Sequence, residues 1–255
     1  MKQQRTPKEQ RLRFRENQDA ITTSGLCDGY LQTNMIILPV EYAFEFLLFC
    51  HRNPVPCPVV DVLEQGVFNP SIAEADIRTD LPKYRIYQHG KLVNEVLDIK
   101  EVWRDDFVTF LLGCSFTFEK ALNEAGIRLL HQEMNKVVPM YQTNINCESA
   151  GRFEGSMVVS MRALKKEEVQ QAIEITEKFP NAHGGPVHIG NPAEIGIEDI
   201  TSPDYGEYTP FSDEERVPVF WACGVTPQYV GLEAKPSIMV THSPGHMLIT
   251  DVEEK

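Results

Sequence analysis

Apolar residues recur at helical spacing in three stretches of this chain. Ala43, Phe46, Leu47 and Cys50 predict a helix over Val40–Arg52, stopped by Asn53-Pro54. Val169, Ala172, Ile173, Thr176 and Phe179 predict a second over residues 165–179, ended by Pro180. Trp103, Phe107, Phe110, Leu111, Cys114, Phe118 and Leu122 make the longest stripe. They predict a helix closed by Gly126, with a break near Gly113. Thr6-Pro7-Lys8-Glu9 is a capped helix start, with Glu9 placed to complete a capping box. Short apolar runs predict strands at 35–38, Val59–Leu63, 137–141, 157–161, 187–189, 217–222, 237–241 and 247–250. Residues 84–87 and 92–96 flank His89-Gly90-Lys91 as a hairpin. Residues 191–216, rich in Pro, Gly, Asp and Glu, read as irregular surface, and no internal repeat is visible.

This pattern predicts an α/β to α+β protein. Residues 1–135 and 216–255 would form a larger mixed-sheet domain. Residues 136–215, reading strand, helix, strand, would form a smaller two-layer α+β domain inserted in it.

Composition narrows the function. The chain has 255 residues, enough to bury a core without staples. Its formal charge of −13 argues against a nucleic-acid surface, so Arg11, Arg13 and Arg15 read as a solvated helix face. No apolar run reaches the roughly 18 residues of a membrane helix, and the N-terminus carries no secretory pattern. The six cysteines are scattered without a C-x-x-C pair, as expected of reduced thiols in a cytoplasmic protein. There is no Gly-rich nucleotide loop and no His-Glu-x-x-His. Gly113-Cys114-Ser115-Phe116-Thr117 falls one residue short of a nucleophile elbow, in a segment that reads as helical.

Candidate chemistry gathers on loops of the last third. His183 and His188 bracket Gly184-Gly185-Pro186-Val187, and His242 and His246 bracket Ser243-Pro244-Gly245. Cys223 ends a strand between them. Imidazole exchanges protons near neutral pH, so these residues are candidates for acid–base work. The competing reading is that they satisfy buried carbonyls and shape turns. His242, His246 and Cys223 also form a conceivable divalent-metal set, although the Pro-Gly turn between the histidines disfavours it and no cofactor is expected. Arg162, following directly on a strand, could hold a carboxylate through two parallel hydrogen bonds. Arg78, within Asp76-Ile77-Arg78-Thr79-Asp80, is a second anion contact, and Asn144 with Thr143 could orient a polar substrate.

Several long blocks of the chain resemble the D-glutamate cyclase family, whose bacterial members are described as "putative hydro-lyases". They include 24–39 (SGLCDGYLQTNMIILP), 49–58 (FCHRNPVPCP), 75–87 (ADIRTDLPKYRIY) and 103–119 (WRDDFVTFLLGCSFTFE). Further blocks are 138–144 (VPMYQTN), 158–162 (VVSMR), 179–196, 217–228 (VPVFWACGVTPQ) and 241–251 (THSPGHMLITD). Two positions depart from the family pattern: Gln142 stands where relatives carry a basic residue, and Ala163 where they carry Pro.

The resemblance implies conversion of D-glutamate to 5-oxo-D-proline with loss of water. His188 or His246 would move protons, Arg162 and Arg78 would hold carboxylates, and Cys223 would line the pocket. A small dicarboxylate is the expected partner, with a homodimer left open. Two alternatives stand beside it: dehydration of another small hydroxy acid, and a non-catalytic dicarboxylate-binding protein.

Overall fold

A computed structural model describes residues 5–212 and 214–254. The chain opens with α1 (Pro7–Arg15), where the Thr6 hydroxyl accepts the Glu9 N–H and the Glu9 carboxylate accepts the Thr6 N–H. β1 (Tyr30–Pro39), α2 (Val40–Arg52) and β2 (Val59–Leu63) follow. Next come the hairpin strands β3 (Tyr84–Gln88) and β4 (Lys91–Val96), then β5 (Phe107–Gly113), α3 (Phe116–Glu124) and α4 (Leu130–Glu133). The remainder comprises β6 (Met140–Asn146), β7 (Ser156–Lys165), α5 (Val169–Thr176), β8 (His188–Ile189) and β9 (Arg216–Ala222). α6 (Thr226–Glu233), β10 (Met239–His242) and β11 (Leu248–Glu253) complete it. The arginines of α1 meet carboxylates: Arg11 reaches Asp251, Arg13 Asp19 and Arg15 Asp80.

The protein is mixed α/β, with two antiparallel sheets among the described residues. One runs β2-β5-β1-β10-β3-β4, with β11 joining β1 on its β10 side; the other runs β6-β7-β9-β8. α2 and β2 form where the periodicity places them. The hairpin turns at His89 and Gly90, both at positive φ (49° and 77°), as a two-residue primed turn requires.

The stripe from Trp103 to Leu122 is not one helix. Its first half is the strand β5, buried along its whole length, and only Phe116 onward is helical. A strand covered on both faces carries a continuous apolar run, and such a run satisfies helical spacing by accident. The 165–179 prediction contracts to a short 3-10 turn followed by α5. The apolar pattern does not predict α6, because Pro227 and Gly231 interrupt it and both its faces are covered.

The sequence shows no repeat, but the fold contains one. The run β1-α2-β2-β5-α3-β6 matches the run β7-α5-β8-β9-α6-β10, with the β3–β4 hairpin inserted in the first and α4 before its last strand. Each sheet contains the same four-strand order, β2-β5-β1-β10 in one and β8-β9-β7-β6 in the other. The last strand of each run pairs in the opposite sheet: β6 joins β7, and β10 joins β1. The registers agree, Thr33 facing Gly113 where Val159 faces Ala222. So does a side-chain bond, since the Gln32 N–H donates to Thr117 Oγ and the Val158 N–H to Thr226 Oγ.

The helices are exchanged too. Phe118 and Leu122 of α3 pack among Leu164, Val219 and Trp221 of the smaller sheet. Val230 of α6 packs among Ile36, Leu38 and Phe110 of the larger one. The seam between the sheets is therefore apolar core, and the ends of β5 and β9 meet along it.

Candidate active site

Two strand-to-helix turns lie at this seam. β5 ends at Gly113 and passes through Cys114-Ser115 into α3; β9 ends at Ala222 and passes through Cys223-Gly224-Val225 into α6. The segment that resembles a nucleophile elbow is thus a strand-to-helix turn, not a helix. Its Ser115 sits at an ordinary φ of −62° and ψ of −14°, buried, with its hydroxyl accepting from Arg162 Nη2 at 3.1 Å. No base touches that hydroxyl among the described residues, so the arrangement is not an activated nucleophile. Gly224 has no side chain for a specific reason: a Cβ there would lie 2.0 Å from Asn34 Nδ2.

Beneath the first turn lies a buried charge network. Arg162 Nη2 and Nε donate to Glu119 Oε1 at 2.5 and 3.2 Å, and Nη1 donates to Ser160 Oγ at 3.1 Å. His131 Nε2 lies 3.1 Å from the same carboxylate oxygen, and Gln132 donates to the other at 2.8 Å. Burial pushes the Glu119 carboxyl up, but His131 and Arg162 outweigh it and hold the group well below the usual carboxylate range. The second turn has a neutral counterpart. Gln228 places its side-chain amide 3.0 and 3.2 Å from the two ring nitrogens of His242, whose Nδ1 accepts the Met35 N–H at 3.1 Å. Burial lowers His242 to about 4, so its ring is uncharged near neutrality. Burial also pushes the Cys223 thiol up to about 11 and the Cys114 thiol higher, so neither is a resting thiolate.

Two hollows open on these turns. The smaller, about 20 Å³, is lined by Asn34, Cys114, Ser115, Cys223, Gly224 and His242 among others. That volume suits a single water molecule and not a dicarboxylate. The larger, about 610 Å³, has the size of a small-molecule site. Its wall comes from the loop before β1, from Phe116, Thr117, Glu119, Lys120 and Asn123 of α3, from His131 to Val137, and from Glu207 and His246. Phe116 and Val137 border both hollows. His246 has its Nδ1 2.8 Å from the Pro244 carbonyl, so Nδ1 carries the proton and Nε2 the lone pair. Burial lowers its pKa.

The candidate residues separate accordingly. His246 lines the large hollow, Cys223 and His242 the small one, and Arg162 lies under Ser115 with its guanidinium committed to protein groups. Arg162 borders neither hollow; it pairs with Glu119, which does line the large one. His183 is buried, its Nδ1–H donating to Val55 O at 2.8 Å, and is lowered to about 4 by burial.

Three residues lie elsewhere. His188 rests on Phe220 and bonds the Asn191 carbonyl. Arg78 is gripped by Asp76 through two bonds and stacks on Phe68. Asn144 is exposed on β6 beneath Gly196. His188 and Arg78 already have local partners, and none of the three borders either hollow. Gln142 is likewise exposed on β6, its N–H donating to Asp204, and Ala163 is buried on β7, facing Pro218. Among the described residues no three His, Cys, Asp or Glu side chains come together as a metal-binding group, so Cys223, His242 and His246 do not form one.

Sequence reasoning missed Asp28, Gln32, Glu119, Lys120, His131 and Lys136. All lie on elements whose meeting depends on the turn after β5, which the pattern hid. The one available signal was that Asp28, Gln32 and Glu119 sit inside blocks that carry the family resemblance.

The fold is thus a two-sheet α/β protein with a half-open, mixed-charge hollow of small-molecule size beside the seam. The chain belongs to the D-glutamate cyclase family, whose model matches residues 108–251. It is 70% identical over 98% of its length to "Putative hydro-lyase OB3382" of Oceanobacillus iheyensis, covering 99% of that protein. It is 53% identical to "Putative hydro-lyase YcsI" of Bacillus subtilis, covering 98% of this chain and 97% of that one. A solved structure, a nitrogen repressor-like protein from Methanococcus jannaschii, aligns over 92% of both chains at 9% identity and a TM-score of 0.40, too distant to carry a functional argument. No helix among the described residues is long and apolar enough to cross a membrane.

Proposed function

We propose that the protein is a hydro-lyase that closes D-glutamate to 5-oxo-D-proline in the large hollow. The observation that carries this reading is that the family's blocks at 24–39, 103–119 and 241–251 all contribute residues to that one cavity, from separate parts of the chain. The reaction balances without a co-reactant. The α-ammonium gives up two protons, the γ-carboxylate gives up one oxygen, and the products are an amide bond and water. Because the reacting groups belong to one molecule, holding it folded supplies a high effective concentration of amine.

The lining suits these demands. Lys120 and Lys136 are cationic partners for two carboxylates in an acidic protein. Lys136 is steadied by its bond to Tyr208 O at 2.7 Å. The free Nε2 of His246 carries two protons in turn, one from the ammonium before attack and one from the ring nitrogen after it, to the departing oxygen, which leaves as water. The positive end of the α3 dipole, at Phe116 and Thr117, faces the cavity where oxyanion charge develops. Glu119, pinned by Arg162 and His131, stays ionised and fixes the geometry of this wall.

The test is to incubate purified protein with D- and L-glutamate and follow the ring product by NMR. Product from D-glutamate is expected, and His246→Gln should slow it by about 10²–10⁴-fold. No cyclised product from either enantiomer overturns the reading.

A further inference from the structure

We infer that the large hollow selects substrates bearing an amine, with Asp28 and Gln32 receiving its ammonium. This rests on the proposed cavity and goes beyond the proposed reaction, because a hydroxy acid of the same length would present the same carboxylates.

Two independent observations meet here. Gln32 is 4% exposed, yet its Oε1 has no hydrogen-bond partner. Its amide orientation is not arbitrary. Nε2 donates to the carbonyls of Thr23 and Leu26, at 2.9 and 3.1 Å, and neither could bond the oxygen. A buried acceptor without a partner is destabilising, and Gln32 is among the residues that line a cavity sized for a ligand. An ammonium supplies the missing donor.

Asp28 lines the same wall, four residues earlier. Its exposed side chain makes no hydrogen bond or ion pair with any described residue. Burial raises its carboxyl pKa, with Lys120 acting in the opposite sense. An unpaired carboxylate and an unpartnered amide oxygen, on residues that line one cavity, are the donor-seeking groups that a cation requires. The loop holding Asp28 is tied to Gln32 by the two Nε2 bonds, so both groups are set in place before a ligand arrives. A hydroxyl at the same carbon offers one neutral donor where the ammonium offers three charged ones, and only the charged group answers Asp28.

The experiment is calorimetric titration of the full chain with D-glutamate and with D-2-hydroxyglutarate, which differ only in amine against hydroxyl. We expect D-glutamate to bind at least tenfold tighter. Asp28→Asn should abolish that preference by weakening D-glutamate alone, whereas Lys120→Met should weaken both ligands together. Thermal melts of each variant establish that it is folded. Equal affinities in the unaltered protein, or an Asp28→Asn variant that keeps the preference, overturn the inference. The outcome is separable from the proposed reaction. An amine preference without turnover keeps the ammonium site and removes the cyclase, and turnover with an unaltered preference in Asp28→Asn does the reverse.

Discussion

The turns after β5 and β9 occupy matching places in the two halves, and they differ in charge. Two residues past Thr117 stands Glu119, and two past Thr226 stands Gln228. Each meets a buried histidine, His131 in one case and His242 in the other. The position on β7 that holds Arg162 corresponds on β1 to Ile36, from the shared register. One half therefore buries a cation with its carboxylate, and the other buries an amide with a neutral ring. The charged version faces the large hollow and the neutral version the small one. Scaffold and polarity are thus separable: the repeat supplies the turn, and a few substitutions decide whether its end is electrostatically active.

The largest expected effect breaks the charged pair. Arg162→Ala leaves Glu119 buried without its guanidinium and should lower stability by about 3–5 kcal/mol in urea melts. The double variant Arg162→Ile with Glu119→Gln copies the neutral half and should recover most of that loss, because no charge is stranded. A double variant no more stable than Arg162→Ala would mean that the two halves are not interchangeable frames.

A smaller effect concerns pH. His242 is lowered from 6.5 to about 4 by burial, so the unfolded chain binds its proton more readily than the folded one. Its contribution to stability is complete above pH 6.5 and lost progressively as pH falls toward 4. The melting temperature should fall over that window, and His242→Gln should flatten part of the decline. An unchanged slope would assign the loss to His183, which is lowered to the same value.

The smallest effect compares the two threonines. Thr226 Oγ both accepts from Val158 N–H at 3.0 Å and donates to Val158 O at 3.1 Å, whereas Thr117 Oγ accepts one long bond of 3.4 Å from Gln32. Thr226→Val should cost about 1–2 kcal/mol and Thr117→Val less, read as midpoint shifts in the same denaturant series.

What could be read in advance follows the same division. α2 and β2 were legible because one has a clear apolar face and both are bounded by turn residues. β5 was not, since burial on both sides erased its alternation, and with it went the placement of Glu119 and Lys120. The histidine loops were rightly singled out as shaped turns near strands. Only the three-dimensional crossing of β10 could show that His242 turns inward toward Gln228 while His246 reaches the larger hollow. Asp28 and Gln32 offered no spacing signal, because the wall they join is assembled from five separate segments.

The exchange of final strands has a mechanical consequence. Each half hands its closing strand across and receives one in return, in the manner of two hooked fingers. The larger sheet cannot be completed until β10 and β11 have been threaded into it, so a product truncated before them would expose raw strand borders that invite clumping.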